Sequence, residues 1–485
     1  MVRRTPGHFE YYQDLYPGVN GDTIRDAVAP VNADLSTLGT LAEDLGRDER
    51  AILTQTQGAF SASVAINPAT SIETITRLTR TSQFALALTR EFAGHVDTFD
   101  TTVDGINIDY QADVTQRLTD EDVEPADARH AAAQALAGRY TTATTTLDTA
   151  ADEVALSMSN GPTDDEVRRL LLAGYLPLWS ASFYPTVVLT SDERQRAAAA
   201  SVDLVIDQLD RDGLLRGTPD EMYRRWLENA LLQDVSILTI RDVVEEHDIQ
   251  PDDFDVLEGM EEVRDDTGKS FFVLPEGMSG DDARKAVLMT YVFNARTEYA
   301  DSGGTEFDEA PYGSTEIQRI IDRQDANSFT YDDDVSFVDV NGGRLATTPN
   351  GMLMGLGGNP LQDLYSQAGG STWGDIFMLN IDDPDDTHAT LVDVIESGNQ
   401  WREGDDGPYE DSSLDLDRLL HHEERHSRQW ADEGYLGFIT GYANESIDVD
   451  WKGWGPFRAP IPHQVEGRDN SYEVDAGLAD GGYSE

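Results

Sequence analysis

His422-Glu423-Glu424-Arg425-His426 is an HExxH run. On a helix, residues four apart share one face a turn apart, so both imidazoles can bind one zinc ion at about 2.0–2.1 Å. Glu423, beside the first ligand, then stands where an activated water needs a general base. A bare HExxH fixes only three positions and recurs by chance in long chains, so its flanks decide its weight. Ser412 and Ser413 are N-cap candidates, with Asp415 three residues after Ser412 as in a capping box. Leu416, Leu419, Leu420 and Trp430 fall at helical intervals, a stripe that can seat the helix in a core. His421 argues the other way, since it can turn the cluster into a solvated polar patch.

A zinc site needs a third protein donor. Asn470-Ser471-Tyr472-Glu473-Val474-Asp475-Ala476 reads as a short helix with Asn470 as N-cap and Glu473 in its first turn. Packed across the first helix, it can complete a His₂Glu site and leave the fourth position open. Glu445, Asp448 and His463 compete for that role, each in a stretch broken by Gly or Pro. Glu473 is preferred over them; the alternative for Glu473 itself is an ordinary acidic residue in an acidic chain.

The run Leu419 to Gln429, followed some forty residues later by Asn470-Ser471-Tyr472-Glu473, resembles the metallopeptidase-type domains at the C-termini of polymorphic toxins. Those read HExxHxxQ and then N-x-x-E-x-x-A; Gln429 and Ala476 fit. Ser371 to Leu379 is similar to the strand that precedes the zinc helix in such domains. The resemblance covers roughly the last 150 residues, a normal domain length. It implies a zincin-like fold, Zn²⁺ held by His422, His426 and Glu473, Glu423 as catalytic base, and a protein or peptide substrate. A toxin would also imply a partner immunity protein. The pattern departs at Arg425, where glycine is usual: the added cation either binds a substrate carboxylate or pairs with Glu424.

Composition bounds the setting. Among 485 residues, 92 Asp and Glu face 35 Lys and Arg, a net charge of −57. Lysine occurs only at Lys269, Lys285 and Lys452, and the acids are spread along the whole chain. Such self-repulsion burdens a compact state until salt screens it. The pattern resembles halophilic, haloarchaeal-type proteomes that work in a salt-rich cytoplasm. Without a basic stripe, nucleic-acid binding is disfavoured, as is adhesion to anionic membranes. The absence of cysteine excludes disulfides, thiol catalysis and cysteine zinc sites. Arg3-Arg4 has no apolar run behind it, so no cleavable signal peptide is expected, and export would need a non-classical route. Leu170 to Ser191 is uncharged and long enough to span a bilayer, yet Pro177 and Pro185 interrupt it; a buried helix–loop segment is the expectation.

The elements that must position this chemistry suggest a mainly α chain with long N-terminal helical hairpins and a C-terminal α+β domain. Three parts are expected: a helical bundle over 1–160, a mostly helical middle over 161–330, and the zincin-like domain over 331–485. Ile24 through Leu45, Phe92 through Tyr110, and Leu136 through Val154 each carry apolar residues in steps of three and four, heptad-like seams for antiparallel packing. Asn67-Pro68 is read as a turn and Pro30 as a kink or restart. The bundle's architecture resembles WXG-type delivery modules, with a plain spacer or oligomerisation element as the alternative. In the middle region, 220–227 and 281–299 read as helices and Phe271 to Leu274 as a strand. Val335 to Val340 and Leu345 to Thr348 read as a hairpin around Asn341-Gly342-Gly343. Gly355 to Gly358 reads as a turn. Ile376 to Leu379 is expected to rim the zinc helix as an exposed edge that could hold an extended peptide.

Zinc-dependent hydrolysis is thus the leading expectation, with peptides preferred over esters or sugars. Glu423 would take a proton from the attacking water and pass it to the leaving amine, and Tyr435, Tyr442 or Arg425 would help hold the oxyanion. Two other classes stand beside it. One is a structural or binding protein with a degenerate zinc site; the other is an effector that disrupts membranes through Leu170 to Ser191.

Overall fold

A computed structural model describes residues 20–27, 59–120, 123–297, 311–357, 370–381, 386–404, 407–452, 459–464, 470–478 and 481, with the side chains of 59–73 and 441–464 left aside. The chain is mainly helical, with a small mixed sheet in its C-terminal half. It divides into two compact units, residues 1–208 with 236–238 and residues 209–235 with 239–485. The stretch expected as a middle region, 161–330, contributes to both.

The first unit is built on α1 (Ala59–Asp120) and α2 (Pro125–Asn160), packed as a hairpin. Two of the expected seams meet there: Val96, Phe99, Val103, Ile106 and Tyr110 bury against Ala132, Ala133 and Leu147, with Leu136, Tyr140 and Ala143 at the margin. Ile24 packs on the same cluster, while the rest of its seam, and Pro30, lie outside the described residues. Asn67-Pro68 is not a turn; α1 runs through it. Proline removes one donor from one rung of the ladder, and the rungs on either side carry the helix across. Next come α3 (Asp164–Leu172), capped by Thr163, a 3₁₀ turn over Leu178–Phe183 and α4 (Ser191–Arg211). Leu170 to Ser191 therefore folds as a helix end, turns and a 3₁₀ segment, with Leu178, Phe183 and Tyr184 buried. Among the described residues no helix is long and apolar enough to cross a membrane.

The second unit carries α5 (Glu221–Leu232), with Asp220 as its N-cap, and α6 (Ile237–His247). The six-stranded sheet begins with β1 (Glu261–Arg264) and β2 (Ser270–Val273). After α7 (Gly280–Asn294), α8 (Ser314–Ala326) and α9 (Val335–Val340), it continues with β3 (Arg344–Thr347) and β4 (Leu353–Leu356). β5 (Gly370–Trp373) and β6 (Ile376–Leu379) complete it in the order β1-β2-β3-β4-β6-β5. All neighbours are antiparallel except β4 and β6.

The two-residue period of the strands sorts the core into two layers. Leu345, Leu353, Ile376 and Met378 face Ala283 and Val287 of α7 and Tyr331, Val335 and Val338. Met354, Leu356, Phe377 and Leu379 face the other way, onto Leu391, Val394 and Ile395 of α10 (Thr387–Ser397) and Leu416, Leu419 and Leu420 of α11 (Leu416–Ser446). The HExxH helix, α11, is therefore seated on the sheet by the leucines of the expected stripe. A two-stranded ribbon, β7 (Asn399–Arg402) and β8 (Tyr409–Asp415), leads into it. A second, β9 (Ile447–Lys452) and β10 (Ala459–Gln464), follows, and α12 (Ser471–Ala476) comes last.

Four local expectations are corrected. Val335 to Val340 is helical, because Val335 and Val338, three apart, are its buried residues while Phe337 and Val340 stay exposed; only 344–347 is a strand. Ser412 and Ser413 are not caps but lie in β8, where the Ser413 hydroxyl donates to Asp411 at 2.6 Å. The helix start is held instead by Leu416 N–H donating to the Gly398 carbonyl. Gly355 and Leu356 belong to β4 and Gly357 turns away, at φ 71°, while Gly358 lies outside the described residues. Ser371 to Leu379 is two strands, with Gly374 at φ 55° in the turn between them. A Cβ on Gly374 would lie 2.1 Å from the Thr330 hydroxyl, so the turn excludes any side chain there. This moves the edge: β6 is interior, and β5 ends the sheet among the described residues.

Candidate metal centre

α11 places His422 and His426 one above the other, and α12 brings Glu473 across to them. Asn470 caps α12 by accepting from Tyr472 N–H at 3.0 Å, which sets Glu473 in the first turn with its side chain buried. His422 Nε2 and His426 Nε2 are 3.1 Å apart, and Glu473 Oε2 lies 3.3 and 3.4 Å from them. Donors about 2.0–2.1 Å from one tetrahedral centre sit about 3.3 Å apart, so this triangle has the dimensions of a metal's three-ligand face. All three residues are buried.

Their outer partners fix the tautomers. His422 Nδ1 lies 3.0 Å from the Gly477 carbonyl, and His426 Nδ1 lies 2.8 Å from Gln429 Oε1. Both are acceptors, so each Nδ1 carries a proton and donates, and each Nε2 faces inward. Gln429 Nε2 in turn donates to the Tyr472 carbonyl and Asp475, tying α11 to α12. Two imidazole nitrogens and a carboxylate oxygen within 3.4 Å form a group that could hold a metal ion. The same closeness shifts their titration. Burial alone would lower His426, but Glu473, then Glu423 and Gln429, push it up to about 9. Glu473 is held far below the usual carboxylate range: burial opposes this, and the adjoining imidazoles of His422 and His426 outweigh it.

Glu423 is buried between this centre and the sheet edge, and Thr372 of β5 donates to its Oε2 at 2.6 Å. Trp430 Nε1 donates to the carbonyl of the same threonine at 3.0 Å. Gly481 packs on the ring of His422, where a Cβ would lie 2.6–2.9 Å from three of its atoms.

The opposite side of α11 is clamped by fixed charges. Glu424 Oε1 receives Arg319 at 2.6 Å, Arg323 at 2.7 Å and Arg428 at 2.8 Å. Burial would raise Glu424, but Arg319, Arg428 and Arg323 hold it well below the carboxylate range. Arg323 also reaches Asp375 at 3.3 Å, and Asp375 accepts from Ser427 at 2.6 Å, Asn327 at 2.8 Å and Tyr331 at 2.9 Å. Three arginines other than Arg425, two of them from α8, thus take Glu424 Oε1.

Asp448 and His463 face each other in the β9–β10 register, and their side chains and those of Glu445 and Tyr442 are outside the described ones. Tyr435 is exposed, its ring 5.2 Å from Phe329 and 5.7 Å from Trp430. Thr372, Arg319, Arg323 and Asp375 escaped sequence reading. The four-residue spacing of Arg319 and Arg323 beside buried Ile317 and Ile320 was a faint signal; Thr372 offered none. Comparison with known families, with characterised proteins and with solved structures finds no match for the chain.

Proposed function

We propose that the second unit is a zinc-dependent hydrolase with a zincin-like arrangement, and that peptides are its substrate class. The single observation that carries this is the triangle of His422, His426 and Glu473, whose edges of 3.1–3.4 Å match a tetrahedral ion. These three would hold the ion; zinc there would supply Lewis acidity, polarising a carbonyl and easing deprotonation of water. Glu423 accepts a proton from the attacking water as the C–O bond forms, then gives it to the nitrogen as the C–N bond breaks. β5, at the sheet edge and bonded to Glu423 through Thr372, is placed to pair with an extended peptide by added-strand hydrogen bonds. Arg425, one residue before a ligand, would add a cation beside the centre. The acidic composition supports work in concentrated salt. The motif's likeness to toxin metallopeptidases supports an antagonistic effector, with export by a non-classical route and an immunity protein as partner.

The test is metal analysis and peptide-library hydrolysis on protein purified in high salt. One zinc per chain and turnover are expected in the parent; His426→Ala should lose the metal. Glu423→Gln should keep zinc while turnover falls on the order of a thousandfold, within the range for a removed general base. Retained hydrolysis in Glu423→Gln ends the assignment.

One observation favours a second reading, a structural zinc site: Gly481 lies directly against His422, and the centre's four acidic and imidazole groups are at most 7% exposed. That reading expects stoichiometric zinc, no turnover in the parent, and unfolding on chelation.

A further inference from the structure

We infer that Thr372 is a positioning residue for Glu423, so that the edge strand orients the general base as well as offering its backbone to substrate. The inference rests on the hydrolase reading above. Thr372 Oγ1 lies 2.6 Å from Glu423 Oε2, with the two residues 9% and 5% exposed. Water therefore does not compete for the bond, and a hydroxyl donating to a carboxylate is among the stronger neutral-to-charged contacts. An ionised carboxylate only accepts, so the hydroxyl matches the form of Glu423 that can take a proton. With Oε2 engaged, rotation of the carboxylate about its last torsion is arrested and Oε1 remains to receive that proton.

Thr372 can hold Glu423 only if it is itself held, and it is. Its carbonyl accepts from Trp430 Nε1 at 3.0 Å, its position pairs with Phe377 of β6, and the ring of neighbouring Trp373 lies 5.6 Å from Trp430. The turn that follows is pinned by Asp375 to Asn327, Tyr331 and Ser427. Side chain and main chain of one residue thus both grip α11, at Glu423 and at Trp430. A peptide paired along β5 would lie on the strand that already sets the base, fixing reacting carbonyl and base in one frame. A misplacement of about 1 Å in such a frame can cost on the order of a hundredfold in rate.

The experiment compares full-length parent, Thr372→Val and Thr372→Ser, measuring kcat and KM on one peptide, zinc content, and amide hydrogen exchange of 370–379. Valine keeps the shape and removes the donor; serine restores it. For Thr372→Val the expected result is kcat lower by about a hundredfold, KM unchanged, one zinc per chain and parental exchange in β5 and β6. Thr372→Ser should return kcat to within a few-fold of the parent. Parental kcat in Thr372→Val, a loss confined to KM, loss of zinc, faster exchange across β5, or no recovery with serine each overturns the positioning role while leaving the hydrolase reading intact. A parent with zinc and no turnover overturns both.

Discussion

The two sides of α11 each bury a glutamate-centred cluster, and they solve the problem of buried charge in opposite ways. Glu424 is met by three guanidiniums, and Arg323 also donates to the Gly351 carbonyl and lies 3.3 Å from Asp375. That cluster carries its own fixed cations. Glu473 is met by two imidazoles whose outer nitrogens are committed to Gly477 and Gln429, so the positive charge the three side chains can carry is an exchangeable imidazole proton. A buried charge must be paired, neutralised or given a metal. The first side therefore reads as architecture, and the second is a group that could hold a metal ion, although both have similar burial and both are rich in acids. Proximity of charged side chains does not distinguish the two; whether the facing charge is fixed or exchangeable does.

The contrast is broken most forcefully by exchanging its outcomes. His426→Ala removes one of three ligands, so zinc stoichiometry should fall from one towards zero while the metal-free protein keeps its fold. Glu424→Gln should do the reverse. It leaves Arg323, buried at 3% exposure, with Asp375 as its remaining carboxylate, and breaking such a buried network costs about 3–5 kcal/mol. Denaturant unfolding of the metal-free proteins, beside metal analysis of the loaded ones, reads both effects. Should Glu424→Gln lose zinc without losing stability, the division between clamp and site is wrong.

How much of this was legible before folding follows the range of each interaction. The spacing of His422 and His426 is a property of one helix, and Asn470 with Glu473 a property of another, so local pattern suffices for both. The seams Phe92 to Tyr110 and Leu136 to Val154 are local too, and they meet in the hairpin. Val335 to Val340 was illegible because Val-Ser-Phe-Val-Asp-Val satisfies a period of two and, through Val335 and Val338, a step of three; packing against the sheet chose the latter. Ser412 and Ser413 have cap chemistry, yet they fall in the irregular stretch of β8 between Asp411 and Asp415, which pair with Gln400 and Asn399 of β7. The Thr372–Glu423 and Arg323–Glu424 bonds span 51 and 101 residues. No local period announces them.

Gln429 tests the outer layer of the same contrast. It holds the Nδ1 proton of His426 and joins α11 to α12, and removing such a partner typically lowers metal affinity by about 10–100-fold. Gln429→Ala should show that loss in a chelator competition assay with little change in metal-free stability. Gln429→Glu, which still accepts from His426, should recover much of it. Parental affinity in Gln429→Ala would mean that the helix alone orients the imidazole.

The smallest and most diagnostic effect is the pH dependence of metal-free stability. His426 is raised to about 9 by Glu473 against the cost of burial. A group with a raised folded pKa contributes stability that is fully present below its unfolded value, near 6.5, and lost as pH climbs through 9. Metal-free protein should therefore lose melting temperature between about pH 6.5 and 9 relative to His426→Ala. Zinc needs the neutral imidazole, so zinc-loaded protein should gain over the same window as proton competition fades. Glu424 is lowered, so its contribution is already complete at pH 6 and flat above it; Glu424→Gln should change the height of the curve and not its slope. Calorimetry of parent and variants across this range would show whether one face alone answers to protons and metal. A metal-free slope equal in parent and His426→Ala would remove the electrostatic argument for a cation at this centre.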